Sequence, residues 1–266
     1  MRLILKMKAI KENEFPYNYN SFVSAEISRL FGFESPEFKK FLSSKDFRFA
    51  DKSFSLFTFN LHFENVIHRK NKLHLRSNNA HLYVSFPLID EYVSSVVMDK
   101  LPEKQLMVPK RYPEPFFTIT KVEQLPEPDF TKPLSFIPKS PLVLSTKRKI
   151  KNILRTYYMS YQDDIYEVVK LFREDLCRKY SYIYNTAVAS ENIGFQWDHD
   201  FITKNAGTTK KLRPKFSLEH NDRKFTVMGN MVPFSLKGNP ELLKVGYYCG
   251  FGKLNFLGFG FSELQD

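Results

Sequence analysis

Two periods of apolar spacing alternate along the chain. Over residues 2–10, Leu3, Leu5 and Met7 alternate with Lys6 and Lys8, the period of two that turns one face of a strand toward a core. From Tyr19 to Phe31, Phe22, Val23, Ile27, Leu30 and Phe31 fall on one helical face. Ser35-Pro36 then reads as an N-cap with proline opening a second short helix. Phe54–Phe63, Leu73–Ser77 and Leu82–Phe86 read as strands of one sheet, the last two divided by Asn78-Asn79. Helical spacing returns over Pro87–Leu101, through Leu88, Ile89, Tyr92, Val93, Val96 and Val97, and Phe116–Val122 closes the set as a strand. Strand, helix, strand, strand, helix, strand is the ferredoxin-like order.

A proline-bearing stretch, Leu125–Pro141, precedes a second pass. Leu142–Leu144 and nearby residues supply a strand, and Asp163–Tyr180 places Ile165, Val168, Val169, Phe172 and Leu176 on one helical face. The segments Lys210–Phe216 and Phe225–Leu236 read as a hairpin. Asn239-Pro240 caps and opens another helix, and Phe256–Ser262 ends the sheet. No sequence repeat links the two passes, so the duplication rests on element order. The expected fold is α+β, with two tandem ferredoxin-like (βαββαβ) domains over residues 1–127 and 128–266, and a length of 266 suits two domains.

Composition adds a partner class. Forty Lys and Arg against 29 Asp and Glu leave a formal charge of +11, which favours a polyanion through counterion release. The 27 Phe and 14 Tyr are material for cores first and for stacking on bases second. Cys177 and Cys249 form no CxxC pair and no zinc spacing, which suits a reducing compartment. The alternating N-terminal segment is too short to span a bilayer and carries no signal-peptide pattern. The expectation is a cytoplasmic protein without a membrane partner.

Glycine is used sparingly except near the C-terminus, where Gly246, Gly250, Gly252, Gly258 and Gly260 make five of the ten within fifteen positions. Such a cluster serves either a relaxed hairpin or a turn whose free amides, with Lys253 among them, cradle a phosphate chain. Two Gly-Phe-Gly triplets, Gly250-Phe251-Gly252 and Gly258-Phe259-Gly260, are five residues apart and follow the helical segment Pro240–Tyr248. A dinucleotide-binding glycine motif would instead follow a first strand and open a helix. The pattern resembles the glycine-rich signature of the CRISPR-associated endoribonucleases that process repeat RNA, within the repeat-associated mysterious protein (RAMP) superfamily. Pro16-Tyr17-Asn18-Tyr19-Asn20 and Phe57-Thr58-Phe59-Asn60 are similar, more loosely, to that family's entry segment and second strand.

The resemblance implies two ferredoxin-like domains that bind CRISPR repeat RNA and cleave it without a metal or other cofactor. A ribose 2′-hydroxyl attacks the adjacent phosphate, leaving a 2′,3′-cyclic phosphate and a 5′-hydroxyl. That chemistry needs a base, a positive group for the developing charge and an in-line geometry. Many members carry a histidine just after a turn such as Ser35–Leu42, but here the neighbourhood reads Phe41-Leu42-Ser43-Ser44-Lys45 and the first histidine is His62. A serine cannot inherit the proton-acceptor role unaided. The catalytic candidates are therefore Tyr19, Arg29, Lys45, Lys52 and His68, the last because the topology brings its hairpin to the loop entering the first helix. Each basic residue of this set also reads as part of a solvated helix face, which is what charge runs usually are. His199 and His220, with carboxylates beside them, read as ordinary loop histidines and not as metal ligands.

Backbone-gripping candidates are Gly250, Gly252, Lys253, Gly258 and Gly260, then Lys147, Arg148 and Lys149, then Lys210, Lys211, Arg213 and Lys215 on the expected hairpin. Trp197, Tyr157, Tyr158 and Tyr161 are candidates for base stacking or for the core. The same residues fit a second reading, a noncatalytic member that carries crRNA in an effector complex with other CRISPR-associated proteins. They also fit a third, a basic protein whose glycine turn makes protein contacts. Self-association as a homodimer is left open.

Overall fold

The computed structural model describes residues 1–10, 14–44, 55–69, 72–87, 98–108, 114–150, 152–188, 193–220 and 223–265. The first half opens with β1 (Arg2–Ala9) and β2 (Glu14–Pro16), then α1 (Asn20–Phe31) and α2 (Pro36–Ser44). The strands β3 (Thr58–Phe63), β4 (Val66–Arg69), β5 (Lys72–Leu75), β6 (Asn79–Ser85), β7 (Gln105–Val108) and β8 (Glu114–Gln124) follow. An antiparallel sheet forms in the order β3-β6-β1-β8-β7. Setting aside the edge strand β7, its four strands stand in the order second, third, first, fourth, which is the ferredoxin-like arrangement. Of the helix expected over 87–101, residues 88–97 lie outside the described residues, and Met98–Lys100 form a 3-10 turn.

The expected strand at Leu73–Ser77 does not join this sheet. Residues Lys72–Leu75 pair with β2 and β4 in a separate three-stranded sheet beside the entrance to α1. Short apolar runs look alike whichever sheet receives them, so periodicity alone cannot assign them.

The second half begins with β9 (Leu134–Pro138), the hairpin β10 (Ser145–Ile150) and β11 (Ile153–Tyr158), and α3 (Ile165–Tyr184). It continues through β12 (Gly194–Trp197), α4 (His199–Lys204), α5 (Thr209–Leu212) and the hairpin β13 (Lys215–His220) and β14 (Arg223–Met228). It ends with β15 (Phe234–Lys237), α6 (Pro240–Cys249) and β16 (Ser262–Leu264). The sheet order β12-β15-β9-β16 repeats the ferredoxin-like plan, with α3 and α6 as its two crossover helices and the two hairpins as insertions.

Three expectations are corrected here. The first strand of this half is β9 and not Leu142–Leu144, which make isolated bridges to Asn230 and Gly252. Prolines of the stretch that precedes the second pass sit at the strand's margin, where Pro138 opposes Ser262 in an edge pairing that spares the lost N–H. Lys210–Arg213 precede the hairpin, which starts at Lys215, and Phe225–Leu236 is divided between β14 and β15. The terminal strand is Ser262–Leu264, and Asn255–Leu257 form a 3-10 turn.

Alternation along β1 buries Leu3, Leu5 and Met7 in the first core and leaves Arg2, Ile4, Lys6 and Lys8 on the outer face. Arg2 is nonetheless only 2% exposed, because the second half covers that end of the face. Its Nη1 donates to the Ser262 carbonyl (2.8 Å) and its Nη2 to the Tyr247 carbonyl (2.8 Å). Its guanidinium also lies over the Tyr247 ring (3.6 Å) and the Phe261 ring (4.3 Å). Burial lowers its pKa to about 10, against the raising effect of Tyr247 and Glu263, so it stays charged at neutral pH.

Candidate nucleic-acid interface

The glycine turn is built from its carbonyls. α3 carries Asp175 and Lys179 in phase with Val168, Phe172, Leu176 and Ile183, so this i, i+4 ion pair is drawn into the core with the apolar stripe. Lys179 Nζ donates to Asp175 Oδ2 (2.6 Å), the Gly250 carbonyl (2.7 Å) and the Gly252 carbonyl (2.6 Å), using all three of its protons. Asn255 Nδ2 donates to the Phe251 (3.2 Å) and Phe259 (2.9 Å) carbonyls. Two buried side chains thus hold the turn from within.

Its amides are largely consumed. Phe251 N–H donates to Gly260 O (3.0 Å), Lys253 N–H to Val143 O (2.8 Å), Gly258 N–H to Asn255 O (2.8 Å) and Gly260 N–H to Pro141 O (2.9 Å). Phe261 N–H donates to Ser140 Oγ (2.8 Å). Gly250, Gly252, Gly258 and Gly260 are all buried. The reading of this turn as a phosphate cradle is therefore corrected, since those amide protons have internal acceptors. Glycine is required for another reason. At Gly260 φ is +72°, and a Cβ would stand 1.9 Å from the Phe251 carbonyl oxygen. At Gly252 φ is +74°, and a Cβ would stand 2.4 Å from the Val143 carbonyl oxygen. Lys253 is also engaged: its Nζ donates to the Ser145 carbonyl (2.6 Å), and partial burial lowers its pKa.

The turn docks the two halves against each other. Thr58 Oγ1 on β3 donates to the Phe259 carbonyl (3.0 Å), and Asn20 Nδ2 at the start of α1 donates to the Leu257 carbonyl (2.7 Å). Between the halves lies a cavity of about 540 Å³. Its walls are Tyr17–Asn20 entering α1, Phe59–Phe63 on β3, His68 on β4, Lys139–Pro141 after β9, Phe216 on β13, and Gly258-Phe259.

Tyr19 and His68, two of the five catalytic candidates, line this cavity. Tyr19 packs on Phe15 (ring centroids 5.9 Å) and Phe63 (6.3 Å). Burial, with a smaller contribution from Tyr17, pushes its phenol up to about 12, so it is a proton donor at neutral pH. His68 is exposed and stands edge-on to Tyr17, ring centroids 5.8 Å apart. Arg29 is not part of the cavity. It lies in the last turn of α1, about 13 Å of helix rise beyond Asn20, and holds Glu26 (2.7 Å) and the Gln105 carbonyl (2.7 Å). Lys45 and Lys52 lie outside the described residues.

Sequence reasoning overlooked Lys139, which follows β9, lines the cavity and pairs with Glu263 (3.0 Å). It was hidden by the displaced first strand. Lys179 was overlooked too, although an Asp-Lys pair four residues apart and in register with an apolar stripe is a legible sign of a buried ion pair.

The basic segments sit on two insertions that meet. Arg213 Nη2 donates to the Tyr158 carbonyl at the base of β11 (2.6 Å), tying the Lys210–Lys215 segment to the β10–β11 hairpin. Lys149, Lys210, Lys211 and Lys215 are exposed, and Lys147 is exposed while donating to Thr156 (2.9 Å). Arg148 is committed elsewhere, to Glu167 and, through its guanidinium, to the face of Tyr157 (3.9 Å). Of the stacking candidates, Trp197 (2% exposed) and Tyr161 (9%) belong to the core, and Tyr157 donates to Asp163 (2.8 Å).

Comparison with known proteins agrees with this architecture. A family model described as "CRISPR associated protein Cas6, C-terminal" matches residues 125–264, more than half of the chain. The chain is 28% identical over 262 residues to CRISPR-associated endoribonuclease Cas6 1 of Methanocaldococcus jannaschii, covering 98% of this chain and 91% of that one. Two solved structures share the fold across the whole chain. One is a Cas6-related protein from Pyrococcus furiosus (TM-score 0.73, 20% identity, 98% of that chain covered). The other is described as a RAMP protein binding different RNA substrates (TM-score 0.71, 21% identity, 100% of that chain covered). With both ferredoxin-like sheets and the family match over the second half in hand, the chain belongs to the Cas6 family of CRISPR-associated proteins.

Proposed function

We propose that this protein binds CRISPR repeat RNA and cleaves the precursor within the repeat, by attack of a ribose 2′-hydroxyl on the neighbouring phosphate and without a metal ion. The observation that carries the reading is the cavity between the halves, where the Tyr19 phenol and the His68 imidazole open onto one space in a chain of this family. In the proposed reaction His68 accepts the 2′-hydroxyl proton as that oxygen bonds to phosphorus, the bond from phosphorus to the 5′-oxygen breaks, and the departing oxygen takes a proton from water to leave as the 5′-hydroxyl, while the protonated Tyr19 hydrogen-bonds to a non-bridging phosphate oxygen as charge develops. Lys45 and Lys52 are the remaining candidates for the positive group. Arg29 is set aside because Glu26 and Gln105 already hold it. Lys147, Lys149, Lys210, Lys211 and Lys215 grip phosphates outside the cavity, contributing affinity without base choice.

The test is incubation with repeat RNA from an array of the same genome, with EDTA present. Cleavage to a 2′,3′-cyclic phosphate and a 5′-hydroxyl is the expected result, slowed about a hundredfold in Tyr19→Phe and lost in His68→Ala. Cleavage that needs added metal, or that survives both substitutions unchanged, overturns the assignment. Stable binding without cutting supports the noncatalytic reading, which the absence of a histidine over Phe41–Lys45 favours.

A further inference from the structure

We propose that the open end of the outer face of the first sheet is a platform on which unpaired RNA bases stack, formed by His62 and His81 and flanked by Lys6, Lys8 and Lys121. It rests on the RNA-binding reading and extends the path of the strand beyond the cavity. The ladder sets these residues in one line: His62 on β3 opposes His81 on β6, His81 opposes Lys6 on β1, and Lys6 opposes Lys121 on β8. Directly opposed residues share a face, so four strands contribute one row.

The two imidazole rings lie near-parallel, at 26° with centroids 6.4 Å apart, a stack that a base can extend. At the Arg2 end of the same face, Tyr247 and Phe261 cover the sheet. At this end His62, Lys8 and Lys121 are exposed. His62 also lines the cavity, so a strand leaving the cavity passes directly onto the platform.

The neighbouring charges set its polarity. Glu123 bridges Lys6 (2.8 Å) and Lys121 (2.8 Å), while Glu64 accepts from Ser77 (2.8 Å) and Asn79 (3.0 Å) beside the imidazoles. Phosphates are therefore directed toward the lysine side and bases toward the rings, the division of labour by which ferredoxin-like sheets hold single strands.

The test measures the Kd of 5′-fluorescein-labelled repeat RNA by anisotropy. Exchanging both histidines for alanine (His62→Ala, His81→Ala) should raise Kd about tenfold or more, whereas exchanging both for phenylalanine should keep it within about twofold of the unaltered protein. Lys8→Ala with Lys121→Ala should weaken binding and flatten its salt dependence. An alanine variant that binds as tightly as the unaltered protein overturns the platform, as does a phenylalanine variant as weak as the alanine one. If the unaltered protein does not bind repeat RNA at all, the RNA reading itself falls, a result distinct from either of these.

Discussion

Replacing Lys179 with methionine keeps most of the stem and removes the ammonium, so it tests whether the glycine turn is held by its carbonyls. The substitution leaves the Gly250 and Gly252 carbonyls without their donor, and Asp175, whose side chain is 3% exposed, with the half-exposed Arg178 as its remaining ion-pair partner among the described residues. Breaking one side of a buried pair costs about 3–5 kcal/mol. With a urea m-value of about 2 kcal/mol/M, the unfolding midpoint falls by about 1.5–2.5 M. Trp197, the one tryptophan of the chain and part of the second core, reports the transition by fluorescence. Adding Asp175→Leu removes the orphaned carboxylate and recovers part of the loss, but not all of it, because the two carbonyls stay unpaired. A single variant that shifts the midpoint by less than about 0.5 M would refute the argument. So would a double variant that restores it fully.

Gly260→Ala forces a Cβ into the Phe251 carbonyl at φ +72° and should cost about 2–6 kcal/mol, whereas Gly194→Ala meets only the flexible Lys237 side chain and should cost under about 1 kcal/mol. Equal thermal midpoints for the two would contradict the close-approach argument. Cys249 is buried, and burial pushes its thiol up to about 12, so in the native protein a thiol reagent at mildly alkaline pH should label Cys177 first and Cys249 only on unfolding. Glu123 is lowered from 4.5 to about 2, first by its hydrogen bond to Lys121 and then by Lys6. Because the folded value is depressed, the contact is fully formed above the unfolded value and is lost as pH falls through about 2. Carboxyl NMR should place its midpoint there, and a midpoint near 4.5 would dismiss the bridge. Tyr19→Phe should lower the cleavage rate about a hundredfold with little change in repeat-RNA Kd, and an unchanged rate would remove Tyr19 from the site.

Much of the fold was legible because the long elements obey one period each. α1 and α3 began within two residues of their expected starts, and β1 showed its alternation directly. What failed was local: β9 is five residues bracketed by prolines, and nothing in its spacing distinguishes it from a linker. The glycine cluster was visible, and its purpose was not. Whether a glycine-rich turn exposes its amides depends on partners distant in sequence, here Pro141, Val143 and Lys179. The approach of His68 to Tyr17 followed from topology, while the alignment of His62 with His81 required the register.

The contact from Arg2 to Ser262 spans 260 residues of sequence. At ribosomal speeds of about 5–20 residues per second, the guanidinium waits some 13–50 s for its acceptor to be made. Through that interval the nascent first sheet carries a hydrated cation where the mature molecule has a sealed seam. Final locking of the two halves therefore waits until β16, the strand that carries Ser262, has been made and has emerged.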